Sequence, residues 1–146
     1  MDLIDSIFVS LARKKSSQIP IIACLFTGVR FPKCCAAMAR SPAPDVGVAL
    51  DTAFLENLEI AIRKNPSVHD GAIMIGRMRA REDYFIRGWS YRLYPPALQS
   101  RSAPNRGSAF NSCLAMSEVR RVDRMLLLSK GELFKFVAGK YRSLSA

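Results

Sequence analysis

Short apolar runs alternate with segments of helical periodicity along this chain, and that alternation is the strongest constraint on its fold. Leu3, Ile4, Ile7, Phe8 and Leu11 recur at helical spacing. Asp2 and Asp5 fall in the first turn and Arg13, Lys14 and Lys15 in the last, the charge order a helix dipole favours. Ser16-Ser17 breaks that helix, and residues 20–26 (PIIACLF) suit a buried strand. A second amphipathic helix is predicted with Asp51 or Thr52 as N-cap, Phe54, Leu55, Leu58, Ala61 and Ile62 on one face, and Asn65-Pro66 as its stop. A His69-Asp70-Gly71 turn then leads into the strand Ala72-Ile73-Met74-Ile75. Tyr84-Phe85-Ile86 opens a third strand that runs through Trp89.

The remainder follows the same logic. Pro95-Pro96 begins a long polar loop reaching Arg106. Ser108 is the expected N-cap of a third helix whose inner face is Phe110, Cys113, Leu114 and Ser117. Residues 125–128 and 133–137 pair across a Lys130-Gly131 turn, and Gly139-Lys140 ends the second of them. Residues 30–50, punctuated by Pro32, Pro42, Pro44 and Gly47, read as loop with at most one short helical turn. The order helix, strand, helix, strand, strand, helix, strand, strand specifies an α/β fold, a central mixed β-sheet flanked by helices. At 146 residues, one domain spanning 1–146 is expected.

Composition narrows the function classes. Four cysteines at 24, 34, 35 and 113 with a lone His69 give no metal-knuckle spacing, so free thiols in a reducing cytoplasm are expected. No apolar run approaches the roughly 18 residues of a membrane helix, and the first residues lack the pattern of a secretory signal. The formal charge of +10 suits anionic partners such as nucleotides, nucleic acid or a membrane surface. That charge is dispersed rather than gathered into a stripe, which does not favour a nucleic-acid groove. No hydrolase triad, P-loop or GxGxxG is present.

Two short segments carry chemistry. In Asp70-Gly71-Ala72, a carboxylate at the mouth of a strand can hold a divalent metal or orient a hydroxyl, and the glycine lets a ligand approach the backbone. In Asn105-Arg106-Gly107-Ser108, backbone amides, a hydroxyl and a guanidinium ahead of a helix can cradle a phosphate. The plain alternatives are an ordinary Asp-Gly turn and an ordinary capped loop. His69 is a weaker candidate base, since no nucleophile is paired with it. Trp89, Tyr91 and Tyr94 can stack on a base or simply pack.

Taken in order, these segments resemble the diadenylate cyclase (DAC) domain, the catalytic module of the bacterial DNA-integrity scanning protein and of membrane-bound cyclic di-AMP synthases. Ile21-Ile22-Ala23-Cys24-Leu25-Phe26-Thr27-Gly28 looks like the family's "GALFVIG" strand. His69-Asp70-Gly71-Ala72-Ile73-Met74-Ile75 looks like its DGA motif and the strand after it. Gly107-Ser108 and then Leu114-Ala115-Met116-Ser117-Glu118 look like "GTRHRAALGLSE", and residues 125–140 look like the closing hairpin.

The resemblance implies a DAC-like fold and a set of roles. Asp70 would bind a divalent metal, Mg or Mn, and activate the ribose 3′-hydroxyl of ATP. Gly71 and Ala72 would form the floor under the nucleotide. Gly107 and Ser108 would grip phosphate, and Glu118 would join the metal site. Two domains would face each other, so a homodimer or higher oligomer is expected. The chain departs from the family where Arg-His-Arg falls on Ala109-Phe110-Asn111. Arg101 or Arg106 could replace the lost cations, and Asn111 could donate one amide bond. Three readings stay open: a nucleotide-binding sensor with weak or no cyclase activity, an active cyclase making cyclic di-AMP, and a non-catalytic interaction or nucleic-acid-binding domain.

Overall fold

The computed structural model describes residues 2–14, 20–96 and 106–144. Its central strands obey a strict alternation. In β1 (Ile21–Thr27), Ile21, Ala23 and Leu25 face one way, and Cys24 and Phe26 the other. In β3 (Ala72–Arg77), Ile73 and Ile75 oppose Ala72 and Met74. In β5 (Val122–Ser129), Leu126 and Leu128 oppose Met125 and Leu127. Side chains of a strand leave on opposite faces, so runs that are apolar throughout must be covered on both sides. Helices α1 (Leu3–Lys14) and α2 (Phe54–Lys64) cover one face through Ile7, Phe8, Leu11, Phe54, Leu58 and Ala61. Helix α3 (Ser108–Met116) covers the other through Phe110, Cys113, Leu114 and Met116.

Seven strands among the described residues form one mixed sheet in the order β2-β4-β3-β1-β5-β6-β7. Here β2 is Cys35–Ala37, β4 Phe85–Leu93, β6 Glu132–Val137 and β7 Lys140–Ser143. Among these described strands only the β1-β3 pair is parallel, with Ile22 opposite Ala72 and Thr27 opposite Arg77. The N-terminal ends of these two central strands therefore open on the same edge of the sheet.

The expected α/β fold is present, with local corrections. Residues 30–50 hold the short edge strand β2, paired with β4, rather than a helical turn. Cross-strand bonds that no periodicity of three residues can announce create it. The second hairpin strand, β6, ends at Val137 as expected, but Ala138 and Gly139, at φ 50° and 78°, then reverse the chain into β7, a strand the sequence did not announce. The third strand extends to Leu93, beyond Trp89. Neither Asp51 nor Thr52 caps α2: Ala53 holds that position, and Asp51 accepts the Ala53 N–H one step earlier at 2.9 Å. Ser108 is the first helical residue of α3, and Gly107, at φ 87°, is its cap. The four thiols are free, with Cys24 and Cys113 buried.

Two polar networks fix the frame. Asp5, completely buried on α1, accepts hydrogen bonds from Arg124 of β5 at 2.9 Å and Lys135 of β6 at 2.8 Å. Asp2 accepts the Asp5 N–H at 2.9 Å, capping α1, and also takes Arg124 at 2.7 Å. Burial raises the Asp2 pKa, but these two bonds, with the charges of Arg124 and Lys135, outweigh it and hold the carboxyl below its ordinary value.

At the far ends of β1 and β3, Asp123 accepts from Thr27 Oγ1 at 2.6 Å and Tyr84 Oη at 2.5 Å. Arg77 donates to Thr27 at 2.8 Å and lies over the Tyr84 ring. Burial first, and then the bond to Asp123, push the Tyr84 phenol well above its ordinary value. The folded protein therefore holds this proton more tightly than the unfolded chain. That stability is fully present below the unfolded phenol pKa of about 10 and is lost as pH rises past it. Chemical denaturation between pH 8 and 11 is expected to show a loss that Tyr84→Phe removes in part. Parallel profiles for the two proteins would refute this assignment.

Candidate functional site

The open ends of β1 and β3 form the floor of a cleft with two adjoining lobes of about 420 and 390 Å3. Both lobes share Ile22, Asp70, Gly71 and Ala109. The first adds Arg40, Ser67 and His69. The second adds Met38, Ala72, Tyr91, Arg92, Ser108 and Ser112. The cleft thus lies between the N-terminal turn of α3 and the β2-β4 edge of the sheet. Its size suits a small ligand.

Asp70 reaches this position because a 3-10 turn, Pro66–His69, redirects the chain after α2. Asn65 caps the turn by accepting the Ser67 N–H at 3.1 Å. Gly71 then takes φ 94°, a left-handed conformation that L side chains rarely adopt. A Cβ there would lie 2.9 Å from the Tyr91 carbonyl oxygen and 3.0 Å from the Ser90 carbonyl carbon. The glycine is required both by its torsion and by this close approach of β4.

Ser90 is the less expected half of the contact. It is fully buried in β4 at φ 62°, within a stretch where the β3-β4 register shifts. Its hydroxyl donates to the Asp70 backbone carbonyl and accepts the Arg40 Nε–H at 2.9 Å. Arg40 Nη2 then pairs with Asp70 Oδ2 at 3.3 Å. The carboxylate is 71% exposed and the arginine side chain 21%, so the guanidinium is held in place while its partner faces solvent. His69 Nδ1 is buried without a hydrogen-bond partner among the described residues, and His69 lines the same lobe as Arg40. An orphaned buried nitrogen costs about 1–3 kcal/mol unless water or a ligand satisfies it.

The expected site residues divide. Asp70, Gly71, Ala72 and Ser108 converge on the cleft, with Gly107 one residue away as the cap of α3. Arg106 turns elsewhere: its guanidinium lies over the rings of Phe110, Phe134 and Tyr141, at 5.3, 5.5 and 5.9 Å, on the β6-β7 side. Asn111 donates to the Gly107 carbonyl at 3.2 Å, inside its own helix. Glu118 lies beyond the opposite end of α3, whose last residue, Met116, is itself roughly 12 Å along the helix axis from Ser108. Arg101 and Asn105 lie outside the described residues.

The altered triplet can now be judged by position. Ala109 lines the cleft but carries no charge. Phe110 is in the core, edge-on to Phe136 at 4.9 Å. None of the three residues delivers a cation to the cleft. Of the aromatic candidates, Tyr91 lines the second lobe and stacks on Phe31, 5.0 Å between centroids. Trp89 is buried and donates to the Asp45 carbonyl at 2.9 Å. Tyr94 is exposed.

The residues present do not fit a resident divalent ion. Among the described residues, Asp70 is the only carboxylate lining either lobe, it already pairs with Arg40, and no cluster of three metal-ligating side chains exists.

Arg40, Ser90 and Met38 were not legible as site residues. Arg40 lies in the proline-punctuated segment that carries no periodicity. Only the pairing of Ala37 with Tyr91 brings it beside Asp70.

No family model matches the sequence, and no curated protein does. Several solved structures match, and two of them cover nearly the whole chain. A hypothetical membrane-spanning protein from Bacillus cereus shares 17% identity at a TM-score of 0.64, covering 99% of this chain and 62% of that one. This chain thus spans less than two-thirds of that protein's length. Among the described residues no helix is long and apolar enough to cross a membrane. A double mutant of DacA from Staphylococcus aureus shares 16% identity at a TM-score of 0.58, covering 98% of this chain and 84% of that one. At such identities the likeness shows the fold: this chain is diadenylate-cyclase-like in its fold.

Proposed function

We propose that the chain is a single DAC-like domain that binds ATP or a related nucleotide in the Asp70 cleft as a sensor or regulatory module, with weak or no cyclase activity. The observation that carries this reading is the asymmetry of the cleft. Its DGA side is built, with Gly71 in the required torsion and Asp70 facing solvent. Its opposite side, at the turn of α3, presents Ser108, Ala109 and Ser112, and the family's Arg-His-Arg falls on Ala109, Phe110 and Asn111, none of them a cation.

Binding and turnover separate on this arrangement. Asp70 can accept a ribose hydroxyl, Tyr91 and Met38 offer apolar surface to a base, and the α3 turn offers the Ser108 hydroxyl. Transferring a nucleotidyl group also requires stabilising charge that develops on phosphate oxygens in the transition state. Each charge-assisted bond to phosphate is worth about 1.5–3 kcal/mol, and the triplet that supplied several in the family supplies none here.

Calorimetry with ATP is expected to show binding at micromolar to millimolar levels. Incubation with ATP and Mn2+, followed by chromatography, is expected to yield no cyclic dinucleotide above background. Steady accumulation of cyclic di-AMP would instead establish the active cyclase. Absence of any nucleotide binding would leave the interaction-domain reading, which a steep salt dependence of DNA binding would support.

A further inference from the structure

We propose that Arg40, aimed by Ser90, is the phosphate-binding cation of this cleft, and that the protein holds nucleoside phosphates without a divalent metal. The inference deepens the nucleotide reading and rests on it. The guanidinium has one edge engaged: Nε donates to Ser90 and Nη2 to Asp70, with Met38 Sδ at 3.9 Å. Nη1 has no hydrogen-bond partner among the described residues. A planar guanidinium fixed along one edge presents its remaining N–H groups in a set direction, the geometry that suits a phosphate oxygen.

Three further features agree. First, the Ser90 hydroxyl joins the Asp70 carbonyl to Arg40 Nε, so one buried side chain sets the positions of both ligand-facing groups. A buried serine at φ 62° is a strained choice, and such strain persists where the surroundings over-determine it. Second, His69 lines the same lobe, and its Nδ1 is buried with no hydrogen-bond partner among the described residues. Third, a carboxylate and a phosphate repel when side by side, and a divalent ion usually bridges them. Arg40 touches Asp70 already, so a phosphate on its free edge would be bridged to the carboxylate by a fixed cation. An arginine in that place does the electrostatic work of the metal, but it supplies no Lewis acid. Arg92, lining the second lobe, adds a further positive charge nearby.

The test uses the intact chain with ATP and adenosine as probes. Wild-type protein is expected to bind ATP about equally in excess EDTA and in Mg2+, and more tightly than adenosine. Arg40→Gln is expected to weaken ATP about 10- to 100-fold while moving adenosine less than about threefold. Arg40→Lys, which keeps the charge but not the fork, is expected to recover part of that loss. Thermal melting checks that each variant is folded, and the EDTA comparison needs no variant. Loss of ATP binding in EDTA, or an Arg40→Gln protein that binds ATP like wild type, overturns the role of Arg40 while leaving nucleotide binding in place. A wild-type protein that binds neither probe under any condition overturns both.

Discussion

Replacing Asp5 with alanine is expected to destabilise the protein by about 3–5 kcal/mol, the loss usual when one member of a buried ion network is removed. The carboxylate is 1% exposed, and Arg124 and Lys135 are only 16% and 15% exposed. Alanine therefore strips a partner from two cations that have little water to turn to. Arg124 keeps Asp2, but Lys135 keeps no carboxylate within ion-pair distance among the described residues. For a chain of this size the melting temperature should fall by about 6–20 °C. The double change Asp5→Ala with Lys135→Met should recover part of the loss, because the stranded ammonium is gone. A melting temperature within a degree or two of wild type for Asp5→Ala would show that water already satisfies both cations, and that α1 is held by Ile7, Phe8 and Leu11 alone.

Gly71→Ala is the second large effect, and it separates the cleft from the frame. The φ of 94° is unfavourable for alanine by about 1–3 kcal/mol. The new methyl would also meet the backbone of Ser90 and Tyr91 at 3.0 and 2.9 Å. The Met38 methyl at 2.6 Å can rotate aside, but β4 cannot. Relief requires β3 and β4 to part at Asp70, which breaks the Ser90 hydroxyl contact and releases Arg40. Nucleotide binding should therefore fall by more than the stability loss alone would cause, in a protein that still melts cooperatively. A variant that melts and binds ATP as wild type does would show that the Asp70-Gly71 turn is not what shapes the cleft.

The elements were legible wherever burial follows a period. Residues 3–11 repeat every three to four positions, and α1 is there. The unbroken apolar stretches at 21–26, 72–75 and 125–128 demanded a sheet covered on both faces, and α1, α2 and α3 cover it so. Asp70-Gly71-Ala72 was legible as a candidate site because its residue types stand in an order that resembles a known motif, and the structure places it on the cleft. The edges were not legible. Strands β2 and β7 are short and largely exposed, so no alternation marks them, and they exist through their bonds to β4 and β6. Nor did the sequence distinguish the arginines. Arg106 sits beside a phosphate-like motif and stacks on aromatic rings, while Arg40, thirty residues before Asp70, holds its carboxylate.

By itself, then, the sequence determined the helices, the buried strands, the mixed α/β architecture and the position of the Asp70 turn. These depend on local torsional preference and on side-chain periodicity, both of which are written in neighbouring residues. The tertiary structure alone decided which cations reach the cleft. Phe110 turns into the core and Arg106 onto the rings, whereas Arg40 is carried in by a strand pairing between segments about fifty residues apart. Long-range pairing, unlike periodicity, leaves no mark in the residues on either side of it.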